Sequence, residues 1–496
     1  MEYKGNFIGG QWQEVTQAEG VFTRENPSRI DETVFEFPWA VAPVEDAVSA
    51  ARKALPTWDK LGFDARLSYI QKLAKIFADR KEDLAMAICH DAGKPLWEAR
   101  GEAGALVAKI NIMSTTGMEF TRDLTLPDGS GKAVYRPLGV LCVLGPFNFP
   151  LHLPNGHIIP ALLNGNTLVV KPSELSGASM QLYFECLQEA GFPDGVVNLV
   201  QGPGPVGAAL STHERVDGVL FTGSYNTGLR IKKATIEQPW KLLALEMGGK
   251  NTSIVLEDAN IDQVAHELIL ASFLTTGQRC TATSRVVAHK SIASRLLDQF
   301  VELAKKVTTG DAEHEEVFMG PIINKGSYDR FLAMQQETES GKLQAVLQGG
   351  KAREDLNGYF LSPAIWKATE FDPHGAHQSE EIFGPDVIFY EAADEQELIH
   401  IANGTDYGLA MSVFTSDEER FERMTYDLHS GIVNMNRTTA GASSALPFGG
   451  VKRSGNHRPA AISAGLYCTY PQSRLMQGSD FDEESVLSGP LSYLSK

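Results

Sequence analysis

The chain has 496 residues, 43% hydrophobic and 21% charged, an ordinary globular composition that excludes disorder as its main state. Its 44 Lys and Arg stand against 62 Asp and Glu, and the formal charge of −18 argues against non-specific nucleic-acid binding and against docking on an anionic membrane. At about 100–200 residues per domain, two or three domains are expected.

The N-terminus reads Met1-Glu2-Tyr3-Lys4-Gly5 with no apolar stretch behind it, so no signal peptide is expected. No run reaches the roughly 18 apolar residues of a spanning helix. Five cysteines (Cys89, Cys142, Cys186, Cys280 and Cys468) are too few for a disulfide framework and lack close metal-ligand spacing. The expectation is no metal and a reducing cytoplasm.

Ala47–Ala54 and Ala65–Ile88 repeat apolar residues at about 3.6, which predicts helices. Residues 122–137 break the pattern. Two short segments there flank Asp128-Gly129, a hairpin signal. A lone hairpin buries little, so this one is expected to pack on something else, such as another subunit. From Gly139 short apolar runs alternate with helical stretches. They are Val140–Leu144, Thr167–Val170, Val196–Val200, Val219–Phe221, Leu242–Leu245 and Ser253–Leu256. Strands alternating with helices predict βαβ units and a parallel sheet. A second series at Arg285–Ala288, Val387–Tyr390, Ser412–Thr415 and Ile432–Asn434 predicts another α/β domain, meeting the first near residue 250. The tail from 471 is polar and acidic, with Leu487–Leu494 as its one anchor.

Several turns carry chemistry-bearing residues. Phe221-Thr-Gly223-Ser224-Tyr-Asn-Thr-Gly228 lies where a strand ends and a helix begins, a place where amides and the helix dipole hold a pyrophosphate. Gly202-Pro-Gly204-Pro-Val-Gly207 is a second such turn. Neither has the Rossmann glycine spacing, and each also reads as a plain cap or tight turn. Lys171-Pro-Ser-Glu174 follows a strand; Lys donating and Glu accepting can grip a ribose diol, and the carboxylate repels a 2′-phosphate, favouring NAD over NADP. An exposed salt bridge is the alternative. Cys280, in Gly277-Gln-Arg-Cys280, sits in a polar stretch beside Arg279, and a nearby cation favours the nucleophilic thiolate. Cys89 and Cys142 sit in apolar patterns and read as core. Glu246 closes the run Leu242–Leu245; desolvation there raises its pKa toward general-base range, unless it points to solvent. Asn148, pinned in Gly145-Pro-Phe-Asn148-Phe-Pro150, can donate to an oxyanion or serve as a turn residue.

The order of these motifs is specific. Pro-Phe-Asn-Phe-Pro, Lys-Pro-Ser-Glu, Phe-Thr-Gly-Ser, Leu-Glu-Met-Gly-Gly-Lys, Gly-Gln-Arg-Cys and Glu381-Ile-Phe383-Gly-Pro385 follow one another. The chain resembles the NAD(P)-dependent aldehyde dehydrogenase superfamily, from about Phe7 to Gly450. The resemblance implies an α/β aldehyde dehydrogenase-like fold. It would hold a Rossmann-type NAD-binding domain (1–121 and 138–246) and a catalytic domain (247–450). An oligomerisation flap with the tail (122–137 and 451–496) would build a homodimer or homotetramer. It further implies Cys280 as nucleophile, Glu246 as base for the deacylating water, and Asn148 with the Cys280 N–H as oxyanion hole. Lys171 and Glu174 would hold the adenosine ribose, Gly223, Ser224 and Gly228 would lie at the pyrophosphate turn, Glu381 would hold the nicotinamide ribose, and Phe383 would pack on the ring. NAD is the implied cofactor.

His152-Leu-Pro-Asn-Gly-His-Ile158, Gly441-Ala-Ser-Ser444 and Gly455-Asn-His-Arg-Pro459 are similar to the succinylglutamate semialdehyde dehydrogenase subfamily, implying a small acidic aldehyde as substrate and a place in arginine catabolism. Phe147, Asp91 and Lys250 depart from the patterns expected. A dianionic substrate needs local cations in so acidic a chain; Arg437, His457 and Arg458 are candidates, each equally readable as a structural ion-pair partner. Four rival readings stay open. Another aldehyde is one. A thiol hydrolase would need a histidine partner for Cys280, and none lies near it in sequence. Coenzyme A acyl transfer would lack Glu246, and a non-catalytic protein would have lost Cys280.

Overall fold

The computed structural model describes residues 1–336, 341–476 and Tyr493. Two seven-stranded sheets form its framework. In the first, five parallel strands run Leu242–Glu246, Gly218–Thr222, Val140–Leu144, Thr167–Lys171 and Val197–Leu199 across the sheet, and Asn6–Ile8 and Gln11–Gln13 extend it antiparallel. Alternate residues feed opposite faces. Leu141, Val143, Leu168, Val170 and Leu220 enter one buried cluster, while Val140, Cys142, Val169, Val219 and Phe221 enter the other. Burial on both faces is why these strands read as unbroken apolar runs. The chain steps from Val140–Leu144 outward through Thr167–Lys171 and Val197–Leu199, then returns to the other side with Gly218–Thr222 and Leu242–Glu246. Such a reversal opens a crevice at the strands' carboxyl ends, where α/β sheets bind ligands.

The second sheet orders its strands Leu343–Leu347, Ala364–Ala368, Asp386–Ala392, Thr283–His289, Asn251–Val255, Ala410–Phe414 and Ile432–Met435. All pair in parallel except the first. The same alternation sends Val286, Ala288, Val387 and Phe389 to one core and Val287, Ile388, Tyr390 and Val413 to the other. Among the described residues, no helix is long and apolar enough to cross a membrane.

The expected helix over Ala65–Ile88 is two, Phe63–Asp79 and Lys81–Ala92, broken at Arg80. Strands near both ends were not anticipated. Gly9 and Gly10, both with positive φ, make a two-residue turn that folds Gln11–Gln13 back on Asn6–Ile8, and the Phe7 and Trp12 rings pack 5.1 Å apart. Gly20–Asn26 and Arg29–Trp39 form a long hairpin, and Leu343–Leu347 and Ala364–Ala368 complete the second sheet's edge. The segment around Asp128-Gly129 is a hairpin: Leu124–Thr125 pairs with Gly131–Pro137, which pairs in turn with Thr469–Leu475. The anchor expected at Leu487–Leu494 lies outside the described residues apart from Tyr493.

Candidate active site

Four strand ends of the first sheet meet one cleft of about 820 Å³. Leu144 and Gly145, Lys171, Thr222 and Gly223, and Glu246 and Met247 form its floor. Helices Gly204–Thr212 and Tyr225–Ala234 begin at its edge, the second capped by the Ser224 hydroxyl, which accepts from the Thr227 N–H at 3.3 Å. Lys171 Nζ donates to Glu174 at 3.3 Å; burial lowers the Lys171 pKa and Glu174 opposes the shift. Glu381 enters from the second sheet's side. Its carboxylate accepts the Gly249 N–H at 2.8 Å, and burial pushes its pKa up to about 7 against that bond. Phe383, at φ 59°, turns its ring edge-on to Phe147, 5.8 Å away.

Asn148, Glu246 and Cys280 line the end of this cleft. Helix Ile261–Phe273 ends in a turn where Thr275 and Thr276 hold left-handed φ of 54° and 56°. For β-branched residues this is strained, of order 1–3 kcal/mol each. The Glu98 carboxylate accepts the Thr275 N–H and hydroxyl, and Thr276 Oγ1 donates to the Gly320 carbonyl at 2.8 Å. Gly277 follows at φ 71°, where a Cβ would come within 2.2 Å of the Gly384 oxygen. The turn delivers Cys280. Asn148 Nδ2 donates to the Gln278 carbonyl at 2.8 Å, and Asn251 Nδ2 to the Cys280 carbonyl at 2.7 Å. Among the described residues no protein acceptor takes the Cys280 N–H, which leaves it for an oxyanion.

Arg279 favours the thiolate, as expected, but is outweighed. Its guanidinium is drawn off to Glu98, over the Phe149 ring, so burial and the charges of Glu381 and Glu246 win and push the Cys280 thiol up to about 12. Glu246 is 4% exposed, and burial alone raises its pKa well above the usual carboxylate range; Oε2 has no protein partner. Cys89, Cys142, Cys186 and Cys468 are all buried and unpaired.

A second cavity, about 170 Å³, opens on the other side of Cys280 and Glu246. Lys109, Phe149, His152, Arg279 and Ser443-Ser444 line it. His152 shares this pocket with Cys280, although distant in sequence. No hydrogen bond joins the two among the described residues, and burial followed by Lys109, Lys94 and Arg279 keeps its pKa well below the ordinary histidine value.

Gly228 lies away from the cleft wall. It packs against Met247, whose sulfur would sit 2.5 Å from an added Cβ, so it serves close helix–strand packing. Arg437, His457 and Arg458 line neither cavity. Among the described residues, the Arg437 side chain reaches only the Gly441 carbonyl. Asn456 exchanges bonds with Leu243 and Leu245, pinning its loop to the first sheet's edge and turning His457 and Arg458 to solvent. Reading the sequence missed Lys109, His152 and the pair formed by Lys94 and Glu102. The available signal was charge on an otherwise apolar helical stripe, at Glu98, Glu102 and Lys109.

The larger cleft suits a dinucleotide. It offers two helix N-termini for a pyrophosphate, a buried ammonium and a carboxylate for one ribose, and Glu381 near a second. Comparison with known proteins agrees. A model of the aldehyde dehydrogenase family matches residues 12–473. N-succinylglutamate 5-semialdehyde dehydrogenase of Burkholderia thailandensis is 41% identical over 94% of this chain and 95% of its own, and that of Paraburkholderia xenovorans 39% over the same shares. A Staphylococcus aureus betaine aldehyde dehydrogenase in complex with NAD+ superposes with a TM-score of 0.90 at 28% identity, covering 97% of this chain and 99% of that one. A Thermus 1-pyrroline-5-carboxylate dehydrogenase with bound NAD gives 0.89 at 30%, covering 96% and 93%.

Proposed function

The chain belongs to the aldehyde dehydrogenase family, and from that premise we propose that it oxidises N-succinylglutamate 5-semialdehyde to N-succinylglutamate, with NAD as oxidant. The carrying observation is that Cys280, Glu246 and Asn148 stand on the wall between a dinucleotide-shaped cleft and a smaller pocket holding unmatched positive charge. The acidic semialdehyde is supported by relatives of that name at about 40% identity over nearly the full chain.

Lys171, Glu174, Gly223, Ser224, Glu381 and Phe383 would hold NAD, which supplies a hydride acceptor when bound. Cys280 sulfur adds to the aldehyde carbon and its proton leaves; Glu246, facing the same cavity with raised proton affinity, accepts it. The free Cys280 N–H and the Asn148 amide stabilise the alkoxide, each donor being worth roughly 3 kcal/mol in such a hole. Loss of hydride from that carbon leaves a thioester on Cys280. Glu246, having passed its first proton to solvent, then takes a proton from water as hydroxide adds to the thioester carbon; the carbon–sulfur bond breaks to a carboxylate and a thiolate, and that thiolate takes up the proton held by Glu246 to restore the thiol.

Free cysteines throughout suit the cytoplasm, and exposed Leu124, Leu126, Tyr470 and Leu475 on the three-stranded flap suit a homo-oligomer contact. NADH formation with N-succinylglutamate 5-semialdehyde, succinate semialdehyde and hexanal tests the substrate. The first should give the highest kcat/KM, and a match or win by hexanal would refute the assignment while leaving the family intact.

A further inference from the structure

Helix Leu96–Ser114 buries a stripe in which Glu98, Glu102 and Lys109 stand among Ala99, Leu106 and Met113. An ion taken out of water needs a partner, since its desolvation costs several kcal/mol. Glu98 pairs with the partly buried Arg279, and Glu102 with Lys94 in a fully buried pair. Lys109 is different. It is 5% exposed, and among the described residues it makes no ion pair and donates no hydrogen bond. Its ammonium end lies beside Gly156, where an added Cβ would meet Nζ at 2.9 Å, so the glycine leaves it room. It lines the smaller cavity with Cys280, Glu246 and Arg279. Burial, the sole cause at work, pushes its pKa down to about 8, which still leaves an ammonium at neutral pH.

Counting charge around this pocket decides what it lacks. Lys94 is paired with Glu102 and Arg279 with Glu98, and the remaining carboxylate on the lining, Glu246, makes no ion pair with Lys109 among the described residues. One positive charge, that of Lys109, is left without an ion-pair partner among the described residues, on the wall of the cavity that shares Cys280 with the cofactor cleft. A ligand that brings its own anion supplies what the protein withholds.

We propose that Lys109 is a specificity-determining residue that pairs with a carboxylate of the aldehyde substrate, in the room left by Gly156. This rests on the acidic-aldehyde reading for the chemical class of the ligand and for nothing else. Lys109 selects and positions; it takes no part in bond making.

The test compares acidic and neutral aldehydes of matched length in the full enzyme with NAD: N-succinylglutamate 5-semialdehyde against hexanal, and succinate semialdehyde against butanal. Lys109→Met keeps the side chain's length and removes its charge. Its kcat/KM for the acidic member should fall at least about thirty-fold, mainly through KM, as for a desolvated charge pair broken on one side. The neutral member should stay within about twofold. Lys109→Arg should recover part of the acid preference. Equal losses on both members, or no loss on the acidic one, would overturn the proposal. Should the variants fail to fold, the unaltered enzyme decides: succinate should inhibit hexanal oxidation competitively and succinamide should not, and equal inhibition refutes the role. If the unaltered enzyme prefers hexanal to N-succinylglutamate 5-semialdehyde, the natural substrate is wrong, yet the succinate semialdehyde and butanal pair still judges Lys109.

Discussion

The larger cleft is floored by the ends of four parallel strands and edged by two helix N-termini, whereas the smaller pocket is walled by side chains from a helix near residue 100, the Cys280 turn and a loop near residue 443. The first offers main-chain amides and glycines at two helix N-termini, groups suited to a dinucleotide's pyrophosphate whatever the enzyme. In the second, Arg279 is paired with Glu98 and the nearby Lys94 with Glu102, while Lys109 has no ion-pair partner among the described residues. On the proposed reading, backbone holds much of a cofactor that many enzymes share, whereas a lone charge selects one substrate. Cys280 and Glu246 belong to both walls, so changes there should break the whole enzyme, and changes on either side should affect one ligand only.

Cys280→Ala should have the largest effect. Turnover should fall by roughly 10⁴-fold or more while NAD affinity stays nearly intact, because the thiol lies at the carbonyl and away from the dinucleotide. NADH absorbance and a binding titration check both halves; substantial residual turnover would sink the nucleophile assignment. Next is Glu246→Gln, which should release a burst of NADH and then stall as the thioester, with steady-state turnover down roughly 10²–10⁴-fold. Rapid mixing separates the burst from the steady state, and an undiminished steady state would remove Glu246 from deacylation.

pH sharpens the contrast between the two cavities. The Lys109 ammonium exists below its lowered pKa of about 8 and is lost as pH climbs through it. Burial alone lowers this pKa; of the other charged or titratable side chains on the pocket's wall, His152 and His157 are held neutral by lowered pKa values, Arg279 is paired with Glu98, and Glu246 and Cys280 act on every aldehyde alike. The ratio of kcat/KM for succinate semialdehyde to that for butanal should therefore drop roughly tenfold by pH 9. Titration of Cys280 and Glu246 affects both aldehydes alike and cancels in the ratio. A flat ratio would contradict the assignment. The smallest change belongs to the cofactor side. Glu174→Gln should narrow the preference for NAD over NADP by roughly three- to tenfold, because Glu174 is one-third exposed and its repulsion of a 2′-phosphate is screened. Equal use of both cofactors by the unaltered enzyme would show that Glu174 does not set the preference.

The sequence by itself determined the parallel strands from Val140 to Val255, because strands buried on both faces are continuous apolar runs. It also marked the cleft residues Lys171, Glu174, Gly223 and Glu246, because each ends such a strand or lies within three residues of its end, and a strand's end fixes where the residues there lie. Short pieces escaped it. Asn6–Ile8 and Ala364–Ala368 are strands only because a neighbour offers them hydrogen bonds, a long-range condition that local pattern does not carry. The tertiary structure alone decided the substrate pocket. Arg437 and Arg458 look like carboxylate binders along the chain, but hydrogen bonds at Gly441 and Asn456 leave them outside it, while Lys109 reaches it from a helix 171 residues ahead of Cys280. The net shift of the cysteine was also settled in three dimensions: Arg279, adjacent in sequence and paired with Glu98 181 residues away, pulls the thiol pKa down, yet burial with Glu381 and Glu246 outweighs it. Proximity along the chain limits where a charge can start; which partner it reaches is set by packing, and the electrostatics follow the partner.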